Sequence, residues 1–179
     1  MQALIFIFQN VFYFFAVLFL LRFFMQAFRV SFLTSIGQFI LKLTQFWVVP
    51  LRKMVPSFFN LDWASLLGAL TMVLIFYVVR LFLQNTVILN WQAFLGIFAL
   101  MVLIALLRLI LNVFIFSILL FAIMSWVNPM HPIMQTLCAF VRPILKPIQR
   151  IVPVISGIDL SPVVALLVLQ ALLLFLPNA

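Results

Sequence analysis

The stretch ASLLGALTMVLIFYVVRLFL, residues 64–83, carries a single charge, Arg80, in twenty positions. At about 1.5 Å of rise per residue it makes a helix roughly 30 Å long, which matches the hydrocarbon core of a bilayer. Comparable apolar runs cover about 4–28 and 91–127, and a shorter one lies at 162–177. The short run supplies only about 22 Å of helix, so local thinning or apolar residues before Pro162 must make up the rest. The run at 91–127 is overlong. Two helices there would put one of two basic loops outside, and no Gly or Pro near Arg108 offers a turn. The expectation is one span preceded by an outer-leaflet interfacial stretch at about 91–105, with Arg108 snorkelling at the outer boundary.

Composition agrees. The chain is 69% hydrophobic and 7% charged, with a mean hydropathy of +1.42. A soluble domain could not cover that much apolar surface, so lipid is the expected solvent. The net charge of +8 is then no nucleic-acid signal: the cations form no aromatic-interleaved face and no nucleic-acid motif is present. One cysteine, Cys138, permits no internal disulfide and no cysteine-based zinc site. One histidine, His131, and two acids, Asp62 and Asp159, leave little for metal ligation or acid–base chemistry. With no nucleophile–base pair and no phosphate-cradling glycine loop, neither an enzyme nor a cofactor is expected. The first residues lack the cationic region and small-residue cleavage site of a signal peptide, so the first run reads as a retained membrane helix.

Charge sets the orientation. Arg29, Lys42, Arg52 and Lys53 lie between the first and second runs, and Arg142, Lys146 and Arg150 between the third and fourth. The connection 84–92 and both chain ends hold no cation. The positive-inside rule therefore places both long loops in the cytoplasm and both termini outside.

Shifted by 97 positions, the two basic loops superpose. Pro50-Leu51-Arg52-Lys53-Met54-Val55-Pro56 falls on Pro147-Ile148-Gln149-Arg150-Ile151-Val152-Pro153, and Asp62 falls on Asp159. The shared pattern, P-x-x-[K/R]-x-V-P-x(5)-D, contains both acids of the chain. The expected fold is an all-α membrane protein with four transmembrane helices, arranged as two parallel helical-hairpin repeats. Residues 1–85 form a degenerate first repeat and 86–179 the second, each with an amphipathic, Pro-rich basic cytoplasmic loop. The register extends into the helix that follows: Ala64 and Gly68 match Ser161 and Ala165, small faces through which the second and fourth spans are expected to meet, directly or across a homo-oligomer.

Within the first loop, Phe32, Ile36, Phe39, Ile40, Leu43, Phe46 and Trp47 recur at helical spacing opposite Thr34, Ser35, Gln38, Lys42 and Gln45. This predicts an interfacial amphipathic helix over about 31–49. In the second loop residues 132–141 repeat the pattern, but Pro143, Pro147 and Pro153 predict short turns rather than one helix, and 151–158 an apolar descent, re-entrant or folded on the helices. Arg142, Lys146 and Arg150, with Arg52 and Lys42, are candidate contacts for anionic headgroups or a protein partner, against the blander reading that they only enforce topology. Asp62 and Asp159 stand where a helix cap belongs. The sharper reading pairs each with the cation of its own motif, Lys53 or Arg150, or with the other copy's cation, as charge pairs at the membrane edge. Arg22 and Arg80 read as snorkelling cations, and Asn112 and Gln170 as hydrogen-bond glue between helices.

The run Ser125-Trp126-Val127-Asn128-Pro129, continued by Arg142-Pro143-Ile144-Leu145-Lys146-Pro147-Ile148-Gln149-Arg150-Ile151-Val152-Pro153 and Gly157-Ile158-Asp159-Leu160-Ser161-Pro162, strongly resembles the YggT family, also called YlmG. The first copy is degenerate: Arg29, Asn60 and Ser65 stand where the repeat has Trp, Gly and Pro. The resemblance implies a small inner-membrane protein tied to cell division, membrane organisation and osmotic or potassium tolerance. In plastid relatives it implies a connection with cytochrome b6f haem assembly and nucleoid distribution. It brings no catalytic residues. The resulting expectation is a non-enzymatic scaffold or assembly factor whose basic loops dock a partner or anionic lipid. The alternative is an oligomeric ion channel or transporter subunit.

Overall fold

The computed structural model describes residues 2–55, 61–84, 91–152 and 159–177, all of whose regular structure is helical. Six helices follow in order: α1 Gln2–Ala27, α2 Ser35–Met54, α3 Trp63–Gln84, α4 Trp91–Val127, α5 Pro132–Gln149 and α6 Ser161–Phe175. Of these, α1, α3 and the 94–127 part of α4 are long and apolar enough to cross a membrane, and α6 is a shorter apolar helix of 15 residues. The apolar stretch 153–158, with Pro153, and Pro56 of the first loop lie outside the described residues.

Helices α1 and α3 form the most extensive pair. Their seam is small against large: the Phe19 ring, fully buried, lies over Gly68, where an added Cβ would come within 3.0–3.2 Å of it. Such close approach gives membrane helices the van der Waals contact that replaces a hydrophobic drive. Two aromatic groups join this pair to α4. Near one end Tyr13 meets Phe76 edge-on at 5.4 Å, and Tyr77 meets Phe98 at 6.4 Å. Near the other, Phe24, Phe28, Phe114 and Phe140 form one cluster with centroids 4.7–6.2 Å apart, tying α1, α4 and α5 together. α6 packs on α4 and α5.

Helix α1 ends in a turn that closes it firmly. The Val30 amide donates to the Met25 carbonyl at 2.8 Å and the Arg29 amide to Gln26 at 3.1 Å, the paired bonds of a Schellman motif. Arg29 therefore takes a positive φ of 55°, a conformation that favours glycine. The chain then turns back on itself. Thr34 caps α2 by accepting from the Gly37 amide at 3.2 Å, and Gly37 sits against the Phe32 backbone, where a Cβ would come within 2.7–2.9 Å.

The expected amphipathic helix is present and runs through Pro50 to Met54. It seats Gly37, Ile40, Thr44 and Val48 on the core and leaves Phe39, Leu43, Phe46 and Trp47 exposed. Two expectations are corrected. α4 is one unbroken helix of 37 residues, about 55 Å, with no separate interfacial stretch at 91–105. No Pro interrupts it, and Gly96 stands in open space where nothing forces a bend. α5 likewise continues through Pro143 and Pro147. Those prolines are four apart and exposed, so the carbonyls they orphan, at Ala139 and Pro143, lie along the outward side. Leu137, Val141 and Leu145 keep the opposite stripe buried.

Candidate functional site

Asp62 precedes the first turn of α3, where its carbonyl accepts from the Ser65 and Leu66 amides. Its carboxylate is 1% exposed and gathers donors from three helices. Oδ2 accepts from Arg52 Nη2 at 2.7 Å, Ser65 Oγ at 2.8 Å and Arg22 Nε at 3.3 Å, and Oδ1 from Arg52 Nε at 3.3 Å. Arg22 in turn donates from Nη1 to Thr44 Oγ1 at 2.8 Å, and that hydroxyl donates to the Ile40 carbonyl at 2.7 Å. One carboxylate thus fastens α1, α2 and α3 together. Burial alone would push the Asp62 carboxyl up, but hydrogen bonds from Arg52 and Ser65, and the charges of Arg52 and Arg22, hold it below the usual carboxylate range.

Asp159 is built differently. Its Oδ1 accepts from the Ser161 amide at 2.9 Å, which ties it to the start of α6, and its Oδ2 accepts from Gln149 Nε2 at 2.8 Å. Burial raises this carboxyl and the bonds from Ser161 and Gln149 more than offset it, so it too lies below its ordinary value. No cation among the described residues lies within ion-pair distance of it. A cavity of about 300 Å³ opens beside it, lined by Phe121, Ser125 and Trp126 of α4 and by Pro162 and Leu166 of α6. Ser161 Oγ is buried and has no hydrogen-bond partner among the described residues.

The expected charge pairs are therefore corrected by one position. Asp62 pairs with Arg52 and Arg22 rather than Lys53, and Asp159 takes Gln149 rather than Arg150. Arg52 and Gln149 each stand ten residues before the acid they reach. All four of these side chains are exposed; what sets Arg52 and Gln149 apart from Lys53 and Arg150 is the bond each makes to its acid.

The outward sides of α2 and α5 differ. Arg142 and Lys146 are exposed one turn apart on α5, with Arg150 following, Pro143 and Pro147 between them, and exposed Gln135 and Cys138 before them. No large apolar residue of α5 stands exposed. α2 exposes Lys42, Arg52 and Lys53 beside Phe39, Leu43, Phe46 and Trp47. His131 caps α5: its Nδ1 accepts from the Ile133 amide at 3.2 Å. Among the described residues no group of three His, Cys, Asp or Glu side chains could hold a metal ion.

A family model described as CCB3/YggT matches residues 1–98 and 100–179. The chain belongs to the CCB3/YggT family. Among its relatives in that family, Uncharacterized protein YggT of Escherichia coli (strain K12) is 34% identical over 96% of this chain and 88% of its own length. A Vibrio alginolyticus protein, described as an uncharacterized protein in proC 3'region, is 32% identical over 95% of this chain and 91% of its own length. An uncharacterized Pseudomonas aeruginosa protein is 32% identical over 94% and 85%. No solved structure matches the chain.

In this YggT-family chain the expected small faces meet other partners than expected. Ala64 and Gly68 are buried, Gly68 against Phe19 of α1, and Ser161 and Ala165 are buried on α6, which packs on α4 and α5. Arg22 is the functional residue that sequence reasoning misplaced: it is buried in an ion pair, not snorkelling. The signal was charge matching, since one Arg in the C-terminal part of α1 and one Asp at the start of α3 answer each other across that end of the bundle. Arg108 is likewise engaged, donating from Nη1 to the Leu176 and Pro177 carbonyls at 2.7 and 3.0 Å and so closing the end of α6. Asn112 and Gln170 lie on exposed sides of α4 and α6 rather than between them.

Proposed function

We propose that this protein is a non-enzymatic membrane scaffold or assembly factor in membrane organisation or cell division. Its two halves are parallel hairpins of two spans each, with α6 as the fourth span and both termini periplasmic. α2 and α5 lie at the cytoplasmic boundary. The duplication is supported by the family model's matching the two halves separately and by the equal spacing of the Arg52–Asp62 and Gln149–Asp159 bonds.

The observation that carries the function is the outward side of α5. Cations one turn apart, with no large apolar side chain of α5 exposed beside them, fit an anionic headgroup layer or an acidic protein surface. α2, by contrast, has the exposed aromatic and aliphatic side chains of a helix seated in the interface. Two measurements test the reading. Cys138 is the one cysteine and is exposed on α5. In intact cells a membrane-impermeant maleimide should leave it unlabelled until the inner membrane is opened. Labelling from the periplasm overturns the topology. Photocrosslinkers at Gln135 and Lys146 should capture a discrete partner or anionic lipid, and replacing Arg142, Lys146 and Arg150 by Gln should abolish capture. Capture that survives the triple substitution refutes the docking face.

A second reading, an oligomeric ion-conducting subunit, draws on Asn112 and Gln170. Their amides face outward on apolar helices, where a neighbouring copy could satisfy them and line a polar path. Ion flux in proteoliposomes that is lost on replacing these amides by Leu favours this reading. Absence of flux from the purified protein favours the scaffold.

A further inference from the structure

The two acids occupy matching positions in the duplicated pattern, yet their surroundings are unequal. Asp62 has a guanidinium delivered from α1 by Arg22 and a second from Arg52. At the register of Arg22, 97 positions on, α4 carries Leu119, which is 44% exposed. Leu119 lies one turn before Ala122 and two before Trp126, both of which line the cavity next to Asp159. Asp159 keeps a neutral amide donor, Gln149, where Asp62 has Arg52. Where the first half places positive charge, the second half has a cavity beside a carboxylate with no ion-pair partner among the described residues.

We infer that the cavity between α4 and α6 is a receptor for a guanidinium group carried on a helix of a partner membrane protein, with Asp159 as the anionic anchor. The chemistry suits that group. A carboxylate at the edge of hydrocarbon gains from a paired cation, and a guanidinium offers it two parallel charge-assisted hydrogen bonds. The Trp126 ring in the wall adds a face for the planar cation, and Ser125 a hydroxyl acceptor. The route is from the membrane side. Trp126 and Val163, which line the cavity, are both exposed, as is Leu119 one turn before its edge, and in the first half the corresponding cation also arrives on a membrane helix. A second copy of this chain is not the source: of the guanidinia on its spanning helices, Arg22 is held by Asp62 and Arg108 by the end of α6, and Arg80 lies over the Tyr77 ring toward the far end of α3 from the acid.

This inference rests on the duplication proposed above, and agmatine serves as the guanidinium probe. With the full chain in phosphatidylglycerol nanodiscs, agmatine should raise Tm saturably by roughly 2–4 °C, and Asp159→Asn should abolish the rise. Leu119→Arg should raise Tm without any probe and remove the response to agmatine, and the same substitution placed on Asp159→Asn should give no gain. Absence of a shift, or an equal shift in Asp159→Asn, overturns the site. Should Leu119→Arg fail to fold, the titration of the natural chain still decides. If phosphatidylethanolamine in the nanodisc gives an Asp159-dependent rise while agmatine gives none, the cavity holds a lipid ammonium and the partner-helix inference falls. The titration does not depend on the Cys138 labelling, so loss of the topology and loss of the cation site are separable.

Discussion

Removing the charge of Asp62 tests the idea that one carboxylate holds three helices. Asp62→Asn keeps the volume and one acceptor oxygen but leaves the Arg22 guanidinium, 6% exposed, without its counter-ion. Stripping one partner from a buried pair costs about 3–5 kcal/mol, because the remaining charge stays desolvated. Asn retains part of the bonding from Ser65 and Arg52, which places the expected loss near the lower end, about 3 kcal/mol. For a chain of this size that corresponds to a fall in Tm of roughly 6–12 °C. Arg52 is 48% exposed, so solvent screens its share, and Arg52→Gln, the residue found at 149, should cost no more than about 1 kcal/mol. Arg22→Leu should be as damaging as Asp62→Asn, and the double variant should lose less than the sum by about 2 kcal/mol. The assay is thermal unfolding of purified protein in one detergent, followed by tryptophan fluorescence. If Asp62→Asn melts within 1 °C of the natural chain, or if Arg22→Leu is no worse than Arg52→Gln, the fastening role is refuted.

Three further outcomes follow from the geometry. Because Asp62 is held below the ordinary carboxylate range, its stabilisation should be fully present above about pH 4–5 and fade as pH falls through its folded value; unfolding measured from pH 7 to 3 should flatten in Asp62→Asn. Arg29→Gly, which relieves the positive φ, should stabilise the chain by about 0.5–1 kcal/mol, read as a small rise in Tm. Gly68→Leu should cost about 1–3 kcal/mol or more, since even a Cβ would stand 3.0 Å from the buried Phe19 ring; a neutral result would show that α1 and α3 do not share that seam.

The apolar runs gave the helices and their approximate ends, and the period of residues 31–49 gave α2, because hydrophobic spacing is a local property that survives into the fold. Partner choice was not legible in the same way. Ala64 and Gly68 showed that something large packs against them, but a small residue does not say which helix brings Phe19. The prolines of α5 read as breaks because a ring removes a donor, whereas the cost depends on whether the orphaned carbonyl faces outward, which the sequence alone does not display. Both acids were visible as special. That Asp62 draws on Arg22, forty residues away, required the packing of α1 on α3.

The grip of Arg108 on the end of α6 fixes a step in the outline of the protein. From Arg108 to Val127, α4 spans about 30 Å, whereas α6 beside it contributes about 22 Å and then stops. Beyond that step α4 continues for four more turns, with Leu95, Ile97, Leu100, Met101 and Leu103 bare. Lipid surrounding the molecule meets a tall wall on one flank and a low one on the other, so the annulus must tilt the protein or pinch one leaflet along α6. A body with such a lopsided girdle settles most comfortably where the bilayer is already thin or bent.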